Sequence, residues 1–204
     1  MNKFETLRDM VRQIRAQSPG PLEMLDVGCR DCVLKPYIAE FGRYAGADLF
    51  QNPAGTVDFV GDVSKGLPLE NDRCDVVIAL DLLEHLDNLQ AGLDELLRVS
   101  RAHVIVLLPN MSHVSYRMSF MRRGFLNEKY HLKFNQGLDR HRWLTIASEN
   151  TAFANEYAAA RGLEVTTSWH VDSRKKEAFA GVCRTLGMSP DWWSVASIHH
   201  FRKR

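Results

Sequence analysis

The segment LEMLDVGCRDC, residues 22–32, passes from an apolar run into a Gly-Cys-Arg-Asp-Cys turn. Leu22 to Val27 predicts a short buried strand, Gly28 ends it, and a helix is expected from about Cys32 to Phe41. Upstream, Phe4, Leu7, Met10, Val11 and Ile14 recur at helical spacing with charges between them. That predicts an amphipathic helix over 3–17, the body of an N-terminal unit of residues 1–20 stopped by Ser18-Pro19-Gly20-Pro21. Downstream, strands are expected at 44–49, 57–60, 75–80, 103–108, 163–171 and 193–201. Helices are expected at 82–99, 145–161 and 173–186, with Gly162 stopping the second of these. Strands alternating with helices in this rhythm predict an α/β fold: a doubly wound, mostly parallel seven-stranded sheet with helices on both faces. One domain is expected over 1–204, with residues 110–143 inserted as a lid or acceptor segment.

Composition narrows the class without naming a function. The chain has 204 residues, 45% hydrophobic and 25% charged, with a formal net charge of +1. That balance gives no global case for nucleic acid or membrane partners. Charges interrupt the N-terminal stretch throughout, so it does not read as a signal peptide. No apolar run approaches the ~18 residues expected of a membrane helix, and a cytoplasmic location is expected. Four cysteines in a chain of this length do not make a disulfide scaffold.

In an open α/β sheet, ligands bind at the carboxyl ends of the strands, near the point where strand order reverses. The polar residues expected there are Asp26, Gly28, Asp48, Asp62 and Asp81. A turn or a helix cap would account for any one of these aspartates alone. It accounts less well for acidic residues at successive strand ends. A carboxylate at a strand tip can accept two hydrogen bonds from vicinal hydroxyls, and a glycine lets a ligand approach the backbone where a Cβ would obstruct it.

These motifs resemble those of class I S-adenosylmethionine-dependent methyltransferases, from about residue 20 to 110 in motifs and to the C-terminus in element order. LDVGCRDC, residues 25–32, resembles the first motif, D-x-G-x-G-x-G, and brings Asp26, Gly28 and Arg30 to the cofactor. Asp48 resembles the acidic residue that binds the ribose hydroxyls, with Leu49 beside it. Asp62 resembles the acidic residue that contacts the adenine amino group, with Val63 beside the ring. DVVIALDLLEHLDN, residues 75–88, resembles the fourth-strand motif and adds Leu80 and Asp81. The resemblance implies S-adenosylmethionine as cofactor and methyl transfer as the reaction. One departure stands out: the second and third glycines of the motif are Arg30 and Cys32 here. Either the loop keeps its turn, with Arg30 facing the methionine carboxylate, or the cofactor site is altered.

Methyl transfer from a sulfonium asks chiefly for alignment and exclusion of water, and an oxygen or nitrogen acceptor can also need a base. His85, just after the fourth strand, is the first candidate; its other reading is a packing or capping histidine. His141, in the DRHRW run of residues 139–143, is the second, and it could equally belong to a polar network fixing the lid. No metal-ligand cluster stands out. Residues 111–143 interleave cations such as Arg117, Arg122, Lys129 and Lys133 with Tyr116, Phe120, Phe125, Tyr130, Phe134 and Trp143, and with His113 and His131. This suggests a small-molecule acceptor, anionic or aromatic. The plainer expectation is a helical insertion whose aromatics pack on the core while its charges face water.

Other readings remain. A non-catalytic cofactor-binding relative is favoured by Arg30 and Cys32. Cys29 and Cys32 form a C-x-x-C at a strand-to-helix junction, where redox dithiols also sit. A nicotinamide enzyme would need G-x-G-x-x-G after the first strand, where this chain has GCRDCV. The absence of an N-P-P-Y-type motif argues against attack on a base amino group, and nucleic acid is not the expected partner.

Overall fold

The computed structural model describes residues 2–124, 126, 128–130, 134 and 139–204. Phe125, His131 and Lys133, singled out in the sequence, lie outside the described residues. Seven strands form one sheet: β1 (Leu22–Val27), β2 (Gly42–Asp48), β3 (Phe59–Val60), β4 (Cys74–Leu80), β5 (Ser100–Pro109), β6 (Glu164–His170) and β7 (Ala196–Arg202). Their order is β3-β2-β1-β4-β5-β7-β6. The first five pair in parallel, while β7 runs antiparallel to both β5 and β6. Strand order reverses between β1 and β4, which opens a crevice above the carboxyl ends of those two strands.

Side-chain alternation covers both faces of the sheet. Met24, Val76, Ile78, Ile105 and Leu107 point to one side, where α1 (Lys3–Gln17) lays Leu7, Val11 and Ile14 against them. Leu25, Val27, Val77, Ala79, Val104 and Val106 point to the other, under α3 (Leu89–Val99) and α5 (Ala147–Arg161). A period of two in each strand, with both sets apolar, requires two covered faces. The Asn2 side chain and Glu5 cap α1 reciprocally, satisfying two otherwise orphaned backbone donors. Gly162, with φ of 65°, closes α5 where the sequence predicts.

Several boundaries differ from the sequence reading. The helix expected from Cys32 to Phe41 shrinks to α2 (Lys35–Ile38) followed by a 3-10 turn, Ala39–Phe41. Cys32 takes a left-handed φ of 54°, which no helix residue adopts, and Pro36 sits at the start. The helix expected from Leu82 begins only at Leu89, where Asn88 accepts from the Ala91 amide at 3.0 Å. Ahead of it lie Asp81 at φ 50° and a 3-10 turn, Leu83–His85. The third strand keeps only Phe59 and Val60, and Val57 instead packs with Cys29 and Cys32. Trp193 closes α7 (Pro190–Trp193) rather than starting the last strand. Between β5 and α5 stands α4 (Val114–Arg123), which buries none of its residues. Phe120, Phe134 and Trp143 of that stretch are exposed, so the expectation that its aromatics pack on the core fails for these three. No helix among the described residues is long and apolar enough to cross a membrane.

Candidate active site

A cavity of about 390 Å³ sits at the strand-order reversal. Asp26 of β1, Leu80 and Asp81 at the end of β4, and Pro109 of β5 form its floor. Gly28, Cys29, Arg30, Val33 and Leu34 wall one side; Lys3 and Phe4 of α1 and Met111, Tyr116, Lys129, Glu84 and His141 close the other.

The loop after β1 keeps its turn without the second and third glycines. Gly28, Arg30 and Cys32, the three positions where the motif carries glycine, all take positive φ, at 79°, 49° and 54°. The backbone turn therefore persists in two residues that pay a steric cost of about 1 kcal/mol each for it. At Gly28 a side chain is disfavoured on two counts, the positive φ and a Cβ 3.1 Å from Leu82 Cδ1, which would have to give by a few tenths of an ångström. The Arg30 amide donates to Asp48 Oδ2 at 2.8 Å, and the Leu49 amide donates to Oδ1 at 2.7 Å. A carboxylate has roughly four acceptor positions, so each oxygen keeps one for a ligand hydroxyl. Asp48 is thus oriented by the same loop that walls the cavity.

Asp26 is 4% exposed and accepts from the Tyr44 hydroxyl at 2.8 Å. Burial pushes its carboxyl up to about 7 despite that bond. Asp62 closes its own turn, accepting from the Ser64 amide at 3.0 Å and hydroxyl at 2.6 Å and pairing with Lys65 at 3.1 Å. The Ser64 hydroxyl leads the causes that hold it below the usual carboxylate range. Val63 is buried in the core under the sheet, and Leu49 is exposed. Asp48, Leu49, Asp62 and Val63 flank the cavity at the β2–β3 side rather than lining it. Asp81 lines it and pairs with Lys3 from α1.

The two thiols face inward. All four cysteines are free and buried, and Cys29 and Cys32 crowd Gly46, where a Cβ would meet their Sγ atoms at 2.7 and 3.1 Å. Burial, then contact with Cys32, raises the Cys29 thiol. Dithiol exchange calls for an accessible, lowered thiol, so the burial of both sulfurs and the raised Cys29 thiol count against the redox reading.

The His141 side of the cavity is assembled from distant sequence. Residues 140–143 are stitched onto residues 84–87: the Arg142 amide donates to the Glu84 carbonyl at 2.8 Å, Arg142 Nε to the His85 carbonyl at 3.1 Å, and Trp143 Nε1 to the Leu86 carbonyl at 2.9 Å. The DRHRW run is therefore both a clamp and a site element. It brings His141, 7% exposed, to the cavity, with its ring 4.7 Å from that of His85 in an edge-to-face arrangement. His85 stands behind, outside the lining. Beneath them Glu84 is fully buried, and burial, then the Asp81 charge, pushes its carboxyl up to about 8. Burial also lowers both histidines, His141 to about 4, so they are neutral near pH 7.

Hydrogen bonds fix which nitrogen of each ring carries the proton. His85 Nδ1 lies 2.9 Å from the Arg140 carbonyl, which can only accept, so Nδ1 holds the hydrogen. Tyr130 gives its own hydrogen to the Trp143 carbonyl at 2.8 Å and accepts from His141 Nδ1 at 3.0 Å. Both Nε2 atoms therefore present bare lone pairs. They stand 4.0 Å (His85) and 3.8 Å (His141) from Glu84 Oε1. The three side chains offer ligand atoms within 4.8 Å of one another. The sequence reading singled out no metal-ligand cluster; the fold brings these three side chains together. Glu84, Lys3, Met111, Tyr116 and Lys129 were not among its site residues. Glu84 stands beside His85 in the motif, but the others reach the cavity only through tertiary packing.

A family model for the methyltransferase domain matches residues 2–167. The chain belongs to the methyltransferase domain family. It has the fold of class I S-adenosylmethionine-dependent methyltransferases, as the motifs imply. Among solved structures it resembles a SAM-dependent methyltransferase from Archaeoglobus fulgidus, at 13% identity over 99% of this chain and 95% of that one, with TM-score 0.59. It also resembles magnesium protoporphyrin IX methyltransferase from Synechocystis, solved with S-adenosylhomocysteine, at 13% identity over 97% and 83%, TM-score 0.58. A small RNA methyltransferase is similar at 15% identity over 100% of this chain but 25% of that one, TM-score 0.64. No curated protein shows significant similarity to the sequence.

Proposed function

We propose that this methyltransferase moves the methyl group of S-adenosylmethionine to an oxygen or nitrogen of a small molecule held at the His141 end of the cavity. The observation that carries the reading is the left-handed loop at Gly28, Arg30 and Cys32 with its amide latched to Asp48. In this reading Asp48, with Leu49, holds the ribose hydroxyls, and Asp62 and Val63 border the adenine. Asp26, Gly28 and Arg30 receive the methionine end, and Leu80 and Asp81 lie under the sulfonium. The methyl carbon then passes in line to the acceptor while Phe4, Met111 and Tyr116 keep water out. Of the two candidate catalytic histidines, His141 faces the acceptor and His85 supports it from behind.

Residues 110–143 act in this reading as the acceptor-side cover, since Met111, Tyr116, Lys129 and His141 all come from that stretch. In this reading the donor takes up part of the cavity of about 390 Å³, and the limited room left beside His141 favours a small acceptor. Relatives with this fold are named for a porphyrin and for small RNA, so the expectation against nucleic acid draws no support from them. A test supplies methyl-labelled S-adenosylmethionine with panels of hydroxylated, carboxylated and aromatic amine compounds and with short RNA. Label transfer to a small molecule, reduced by Asp48→Ala, supports the reading. Donor binding with no transfer to any class would favour the non-catalytic relative, and label in RNA alone would move the acceptor class.

A further inference from the structure

We propose that Glu84, His85 and His141 form a three-ligand site for a divalent transition-metal ion at the acceptor end of the cavity. The argument rests on lone pairs. Glu84 Oε1 and Oε2 and His85 Nε2 are buried without a hydrogen-bond partner among the described residues. His85 Nδ1 and His141 Nδ1 carry their hydrogens away, toward the Arg140 carbonyl and the Tyr130 oxygen. Two imidazole lone pairs and a carboxylate thus converge with no donor hydrogen on either ring face that meets Glu84. A proton on Glu84 bonds neither ring at 3.8 and 4.0 Å, so the buried lone pairs stay unsatisfied; a cation in place of that proton satisfies all three groups at once.

The geometry fits. Ligand atoms about 2.1 Å from one ion lie roughly 3–4 Å apart, and the two measured pairs are 3.8 and 4.0 Å. All three atoms lie within 4.8 Å of one another, so a small rotamer adjustment closes the set. The outer contacts are those that orient metal-bound histidines, one to a backbone carbonyl and one to a hydroxyl. Two imidazoles with one carboxylate select zinc, manganese, iron or cobalt over magnesium and calcium, which prefer oxygen ligands alone. Asp139 lies 3.7 Å from His85 Nε2 but already pairs with Lys129 at 3.0 Å and Arg30 at 3.1 Å. The ion's remaining positions face the cavity through His141 and Glu84, where an oxygen of the acceptor would complete its coordination. That consequence rests on the transferase reading, whereas the cation site does not. In this arrangement the two imidazoles hold the ion and do not take the acceptor's proton.

Chelator-treated full-length protein titrated with Co²⁺ alone tests the site. The expected result is one ion per chain, with visible bands of low-coordinate cobalt. His85→Gln and His141→Gln should each weaken Co²⁺ binding at least tenfold. Pulsed EPR of the Cu²⁺-loaded wild-type chain should show two histidine nitrogens, and it decides the matter even if the variants fold poorly. No Co²⁺ binding, equal affinity in wild type and His141→Gln, or thiolate-to-cobalt bands removed by Cys32→Ser would overturn the proposal. S-adenosylhomocysteine binding, measured without metal, separates the two readings. A chain that binds it but no cobalt refutes only the cation site; a chain that binds cobalt alone refutes only the donor site.

Discussion

The two ends of the cavity are built in different ways. The end we assign to the donor comes from short motifs at consecutive strand tips: the loop after β1 meets the end of β2 through the Gly28 and Cys29 amides, both donating to the Ala47 carbonyl, and the Arg30 amide, donating to Asp48. The acceptor end comes from residues 84–85, 129–130 and 139–143, joined by backbone and side-chain bonds across more than fifty positions. Local construction makes the donor end rigid and tolerant of lost glycines. Long-range construction makes the His141 end depend on a clamp, which alone brings the buried His141 to the neighbouring Glu84 and half-buried His85.

The sharpest way to break this contrast is at Gly28. Gly28→Val forces a β-branched side chain into φ 79° and against Leu82. Calorimetry should then detect no binding of S-adenosylhomocysteine, with circular dichroism at low temperature confirming the folded state. Retained affinity would show that the loop does not meet the donor. A change at the other end should separate the two functions. His141→Gln should lower methyl transfer about 100-fold, within the range typical of a single lost catalytic group, and leave donor affinity within about threefold. A matching loss in donor affinity would mean the two ends act as one.

The pH response sharpens the contrast more finely. The Asp26 carboxyl titrates at about 7 in the folded chain, well above its ordinary value of 3.8. The folded state thus holds a proton that the unfolded state has released, so the stability this group contributes is full below about pH 4. It is lost as pH rises through 7. Asp26→Asn should therefore raise the melting temperature more at pH 8 than at pH 5. Ionised Asp26 should attract the cationic donor, so wild-type affinity should fall about tenfold from pH 8 to pH 6 and Asp26→Asn should flatten that slope. The smallest effect belongs to Arg30→Gly. It relieves a left-handed residue at the cost of an exposed ion pair with Asp139, and should raise the melting temperature by on the order of 2 °C.

What the sequence makes legible follows the same division. Near-continuous apolar runs in β1, β4 and β5 announce two covered faces, and the aspartates at strand tips announce the crevice, because both signals lie within a few residues. The turn at Arg30 and Cys32 is not legible, since glycine is the usual sign of positive φ and the backbone here is held by Asp48 and Asn52 instead. Asp62 illustrates the reverse: its position in the motif is clear, yet its carboxylate is engaged by Ser64 and Lys65. The grouping of Glu84, His85 and His141 leaves no periodic trace, because nothing local to residue 84 indicates which distant histidine the clamp will bring. The same holds for Lys3, which reaches Asp81 only because α1 packs beside β4.

Calorimetric titration of the purified chain with S-adenosylhomocysteine, run beside Asp48→Ala, tests the central claim most directly. One site per chain is predicted, and removing the carboxylate's bonds to the ribose, worth about 2 kcal/mol, should weaken binding roughly 30-fold. No binding, or equal binding by the two proteins, would contradict the assignment of the Arg30–Asp48 loop to the methyl donor.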